Sequence, residues 1–232
     1  VAKQQKRLGK LTRKEIKEDK VADFFLALAN YSRQHSRRIT GVAIAVLIVA
    51  LVITVAKRER RAAEIEAQTM LARANLDLKE GNFSSALEGY ASILERFRGT
   101  WGYSDAVFLS ADANFGTARY DSAMVFFEKY LNLKKRREPF TVSSKVGIAQ
   151  CLEQMEKYSD AAESYLKVQR EHPADPLAPD ALFGAARCFE LASDLREAET
   201  AYKDLIALYP KSRQATLAKM PLLEIQAKLE NT

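Results

Sequence analysis

The chain has 232 residues, a formal charge of +6, two cysteines and two histidines. The charge is uneven: residues 1–38 carry +7 and residues 57–61 another +3, leaving −4 for residues 62–232. The basic excess flanks a single apolar stretch, so the high isoelectric point is no argument for a nucleic-acid partner. His35 and His172 lack Cys, Asp or Glu partners at metal-ligand spacing, and the sequence has no glycine-rich phosphate loop and no nucleophile elbow. The expectation is a protein that is not an enzyme and uses no cofactor.

Residues 1–9 are basic and polar, and are expected to be disordered. Thr12 followed by Glu15 forms a capping box, which predicts a helix over about 12–34. Ile16, Val21, Phe24, Phe25, Leu28 and Tyr31 fall mostly on one face of it. Such a helix suits the headgroup layer of a membrane, or alternatively a partner membrane protein. Ile39 to Ala56 then reads ITGVAIAVLIVALVITVA, eighteen residues without charge, amide or proline. At about 1.5 Å per residue this matches the thickness of a bilayer core, and predicts one transmembrane helix over 39–56. The run is too long for a signal-peptide core and lies behind 38 residues, so a retained span is expected rather than a cleaved leader. Basic residues flank both ends: Arg37 and Arg38 before it, Lys57, Arg58, Arg60 and Arg61 after it. The longer basic tail before the span predicts a cytoplasmic N-terminus and a large extracytoplasmic domain. No glycine or proline appears between Lys57 and Lys79. The span should therefore continue as a helical stalk, 57–66, into the next domain.

From Ala67 the sequence repeats. GNFSSALEGY, ARYDSAMVFF, EKYSDAAESY and SDLREAETAY place Ala86, Ala123, Ala161 and Ala198 at intervals of 37, 38 and 37 residues. Ala74, Ala111, Ala149 and Ala186 precede them by twelve residues each. These small residues stand where two helices must approach closely. Phe83, Tyr120, Tyr158 and Leu195 should fill the turns, and Tyr90, Phe127, Tyr165 and Tyr202 should pack between neighbouring units. Pro173 and Pro210 should close the second helices of the third and fourth units. The expected fold is an all-α solenoid of four helix pairs over 67–212, with a capping helix over 213–232 that Pro221 kinks or splits.

These segments resemble tetratricopeptide repeats, whose pattern has small residues at repeat positions 8 and 20, an aromatic at 24 and a proline at 32. The departures are alanine for the favoured glycine at position 8, and Arg98 and Lys135 in place of the first two prolines. The resemblance implies a concave groove lined by the first helix of each pair. It puts Leu71, Phe108, Val146 and Phe183 there as an apolar stripe, flanked by Asn75, Asp112, Gln150 and Arg187. Such a groove suits an extended or helical segment of another protein. Loops between repeats are expected to hold a second surface of Trp101, Tyr103, Lys134, Lys135, Arg136 and Arg137, suited to lipid headgroups or a membrane partner. Cys151 and Cys188 fall on successive first helices, too far apart for a disulfide, and are expected to be free buried thiols.

The layout is similar to that of bacterial membrane-anchored repeat proteins, the family that includes the ancillary subunit of the Sec translocon. That likeness implies residence in the bacterial inner membrane, with the repeats in the periplasm. Its implied partners are a translocon, periplasmic chaperones or clients, and membrane lipids. The rival expectation is a structural accessory subunit of a respiratory, photosynthetic or envelope complex. The oligomeric state is open at this stage.

Overall fold

The computed structural model describes residues 23–27, 31 and 35–230. The capping box at Thr12 and most of the helix expected over 12–34 lie outside these residues, although 23–27 are helical. The chain divides into two compact units, residues 1–59 and 60–232.

Helix α1 (Ser36–Lys79) runs for 44 residues without a break. Among the described residues it is the one helix long and apolar enough to cross a membrane, and its apolar window is left wholly uncovered by the rest of the protein. A soluble core helix of this composition would be buried.

The second unit is a stack of helix pairs. The C-terminal part of α1 pairs with α2 (Phe83–Arg96), followed by α3 (Trp101–Gly116) with α4 (Tyr120–Leu131), α5 (Glu138–Gln154) with α6 (Tyr158–Glu171), and α7 (Ala178–Leu191) with α8 (Leu195–Leu208). Each helix packs chiefly on its neighbours in the chain, so the core is a row of small cores rather than one. The repeat alanines Ala86, Ala123, Ala161 and Ala198 are fully buried, as are Ala111, Ala149 and Ala186, and Ala74 nearly so. Tyr90, Phe127, Tyr165 and Tyr202 are buried as well. Two of these rings lie on glycines of the next first helix. A Cβ on Gly147 would stand 2.4 Å from the Phe127 ring, and one on Gly184 would stand 3.0 Å from Tyr165.

All four turns inside the pairs share one geometry. Gly81, Ala118, Glu156 and Ser193 occupy equivalent places with φ of 81°, 57°, 60° and 66°. In each turn the following N–H reaches back to the last turn of the first helix, Asn82 to Asp77 O at 2.8 Å and Lys157 to Leu152 O at 2.9 Å among them, which is the Schellman closure. Only the first turn has the glycine that this left-handed backbone favours.

The first helices of the second and third repeats begin earlier than the repeat pattern places them. Thr100 caps α3, its hydroxyl accepting from the Tyr103 N–H at 3.0 Å. Trp101 and Tyr103 therefore belong to the first turn of a helix and not to a loop. Pro173 and Pro210 follow directly on the C-caps of α6 and α8, His172 and Tyr209. At the C-terminal end the capping segment is split into α9 (Arg213–Leu217) and α10 (Lys219–Glu230). Pro221 has no N–H for the Leu217 carbonyl, so the ladder of α9 cannot continue through it. On the outer side of this cap Leu217, Met220 and Leu223 are all about half exposed or more.

Candidate protein-binding face

The eight residues expected to line the first-helix face have different fates. Leu71 and Val146, at 6% and 8% exposure, are core residues and cannot touch a ligand. Their neighbours explain this: Leu71 packs with Ala86 and Tyr90, and Val146 with Ala161 and Tyr165. Phe108 and Phe183 are half-buried. Phe108 stacks on Phe140 at 4.5 Å and 3°, and Phe183 meets Tyr202 edge-on at 5.9 Å. Asn75 is half-buried too, accepting a 2.6 Å hydrogen bond from the Tyr90 hydroxyl.

Asp112, Gln150 and Arg187 remain exposed. Burial against the adjacent helices nevertheless pushes the Asp112 carboxyl up. Tyr90 is pushed up to about 12, first by burial and then by the negative charges of Asp112 and Asp77. Arg187 forms a two-pronged pair with Glu153 of the preceding repeat, Nε to Oε1 at 3.0 Å and Nη2 to Oε2 at 2.8 Å. The Tyr165 hydroxyl donates to the same carboxylate at 3.0 Å, and burial, ahead of the Glu153 charge, drives its own titration far up. Three repeat elements, α5, α6 and α7, are thereby tied by one carboxylate. Glu153 was not among the residues singled out by the repeat pattern, although it stands twelve residues before Tyr165, in a register that could have flagged it.

The second surface is an internal clasp. Tyr103 is buried, packed with Val107 and Tyr130, and cannot reach a headgroup layer. The Trp101 ring is flanked by two cations, Lys135 Nζ at 4.5 Å and Arg137 Cζ at 4.8 Å from its centroid. Arg137 also pairs with Asp105 at 3.1 and 3.4 Å. Glu64 of α1 accepts from the N–H groups of Trp101 and Gly102 at 2.8 and 3.1 Å, which places a carboxylate on the N-terminus of α3. Burial alone would raise that carboxyl; the Trp101 N–H, Gln68, the Gly102 N–H and Lys135 together hold it below the usual range. Arg136 donates to the carbonyls of Leu131 and Leu133 at 2.8 and 3.0 Å, and Lys134 is exposed. Arg37, Arg38, Lys57, Arg58, Arg60 and Arg61 all lie exposed on α1.

Cys151 and Cys188 are free and fully buried. Burial pushes the first thiol up to about 11 and the second up to about 12. They pack as small apolar residues.

Residues 146–213 match the family model described as Tetratricopeptide repeat. Solved structures of similar fold include a MamA fragment, 41 to the end, from Desulfovibrio magneticus RS-1, at 15% identity and a TM-score of 0.53, covering 70% of this chain and 96% of that one. The apo form of RapI is 16% identical with a TM-score of 0.62, over 72% of this chain and 49% of that one. A tetratricopeptide repeat protein from Parabacteroides merdae is 12% identical with a TM-score of 0.58, over 71% of this chain and 61% of that one. No curated protein matches the sequence. At these identities the likeness is one of fold. Residues 146–213 are thus matched as tetratricopeptide repeats, and the fold of the stack is similar to that of a solved tetratricopeptide repeat protein.

Proposed function

We propose that the chain is a membrane-anchored scaffold whose first-helix face holds a segment of another protein. Its place in this reading is the extracytoplasmic side of a bacterial inner membrane, where it assists protein translocation or periplasmic folding. The observation that carries the binding role is the row of exposed polar side chains Asp112, Gln150 and Arg187 on successive first helices, beside the half-buried rings of Phe108 and Phe183. The exposed apolar window of α1, bracketed by exposed cations, supports the anchor. With Leu71 and Val146 withdrawn into the core, recognition falls on the polar row, with the two rings as apolar contact points. The basic residues expected at a membrane edge reduce to those on α1 and Lys134, because Lys135, Arg136 and Arg137 are engaged within the fold.

The test is a photoreactive residue at Gln150, crosslinked in intact membranes and followed by mass spectrometry. Capture of translocon subunits or of many unfolded secretory chains supports the reading. Capture of one stoichiometric membrane protein makes the chain an accessory subunit of that protein's complex instead.

A further inference from the structure

Helix α1 presents a second face that the scaffold reading does not use. Ala67, Leu71 and Ala74 point into the stack, and on the opposite side Ala62, Ile65, Thr69, Ala72 and Leu76 are all exposed. Ile65 and Leu76 stand 68% and 59% open to solvent. The repeat period shows what such positions are built for. Ala72 and Leu76 are the counterparts of Gly147 and Cys151 in the third repeat and of Gly184 and Cys188 in the fourth, all of them buried. There the Phe127 and Tyr165 rings of the preceding second helix lie on the glycines. In the first repeat no described helix covers these positions, yet the side chains stay small or apolar.

The spacing of the stripe, three and four residues in alternation, is that of a heptad seam and not of a general acceptor for a helix crossing at an angle. In that register Arg61 and Glu66 flank the seam five residues apart. That interval sets a cation of one helix against the anion of an identical, parallel helix. An antiparallel pairing would lose the match. Glu66 already meets Arg96 at 2.7 Å, but more than half of each side chain remains exposed. Further back in the same helix Val55, Leu51 and Ile48 fall in the same spacing and are exposed too, but Arg58 takes the position between Val55 and Ala62, so the apolar stripe proper begins at Ala62.

We propose that this stripe is a self-association face on which a second copy of the chain packs α1 against α1, in parallel, about a two-fold axis. Ala62, Thr69 and Ala72 allow close approach of the helices, while Ile65 and Leu76 supply the apolar contact. Such an interface is isologous, each residue facing its own counterpart. It presents two first-helix faces to one client, and paired sites of this kind raise apparent affinity by roughly 10²–10⁴-fold without any new contact.

The experiment uses the full chain in membrane vesicles with Ile65→Cys, Leu76→Cys or, as an exposed control off the stripe, Glu95→Cys. Mild oxidation should join Cys-substituted position 65 to itself and position 76 to itself at least about tenfold more than the control. In detergent the parent chain should have twice the 26.0 kDa mass of one copy. Ile65→Glu combined with Leu76→Glu should weaken pairing by roughly a hundredfold. Its helical circular dichroism should not change, because both side chains are exposed. A parent chain of single mass overturns the proposal, as does a double variant that stays paired. So does oxidation that links position 65 only to the C-terminal helices of another copy, or only to a different protein.

Discussion

At the scale of single residues, the four equivalent turns offer a comparison within one molecule. Ala118, Glu156 and Ser193 hold left-handed backbone that a Cβ disfavours by about 1 kcal/mol or somewhat more. Replacing each with glycine should relieve that strain, partly offset by the greater freedom of the unfolded chain, for a net gain of roughly 0.5 kcal/mol per site. Gly81→Ala should cost about 1 kcal/mol. Denaturant melts of the four variants check both signs. Glu64 supplies a pH-dependent test. Its carboxyl is held below the ordinary 4.5, so its contribution is complete above that value and is lost as pH falls through the lower folded one. Glu64→Gln should cost about 0.5–1 kcal/mol at neutral pH. The gap between variant and parent should close on acidification below the folded value, and a gap independent of pH would contradict the helix-terminus role.

At the scale of elements, the repeat alanines and aromatics were legible because stacking requires the same sizes at the same places every 37 or 38 residues. The surface residues were harder to read, since a first helix has only a narrow strip between its two packed neighbours. Leu71 and Phe108 occupy equivalent positions, yet Leu71 is buried on Tyr90 while Phe108 is only half covered, by Phe140. Which of them is covered depends on ring sizes in adjacent repeats, and repeat position alone does not encode that. The same reasoning hid the roles of Trp101, Lys135 and Arg137. Their composition matches a membrane interface, but both cations lie over the ring, and each is paired with a carboxylate of the same fold, Lys135 with Glu64 and Arg137 with Asp105. Where a large ring meets a glycine, the packing of one element on the next becomes testable. Gly147→Ala forces a methyl to within 2.4 Å of the Phe127 ring, and should cost about 1–3 kcal/mol. Gly184→Ala, at 3.0 Å from Tyr165, should cost less, and thermal melts of the pair would show the order.

At the scale of the whole molecule, a stack held together between neighbours spreads the proposed binding surface over several repeats. Asp112→Lys combined with Gln150→Lys alters that surface at two exposed points without touching the core. The pair should weaken capture of the bound protein in a pulldown by roughly tenfold or more, while shifting stability by no more than about 0.5 kcal/mol. Pulldown and melting of the same variant separate the two effects. Binding that falls in step with stability would point to a structural role for this face.

Four consecutive basic residues, Lys134 to Arg137, read in the sequence as an open invitation to trypsin. The fold withdraws it. The Lys135 carbonyl accepts from Ser104 Oγ at 2.6 Å, and the Arg137 N–H donates to the Tyr130 hydroxyl at 2.7 Å. Both side chains are drawn onto Trp101. A protease must pull several residues of extended chain into its cleft, so cutting here requires that the loop first peel away from α3 and α4 of the second repeat. The rate of cleavage at this loop, compared with that of Trp101→Ala, thus becomes a clock for the local opening of that one repeat.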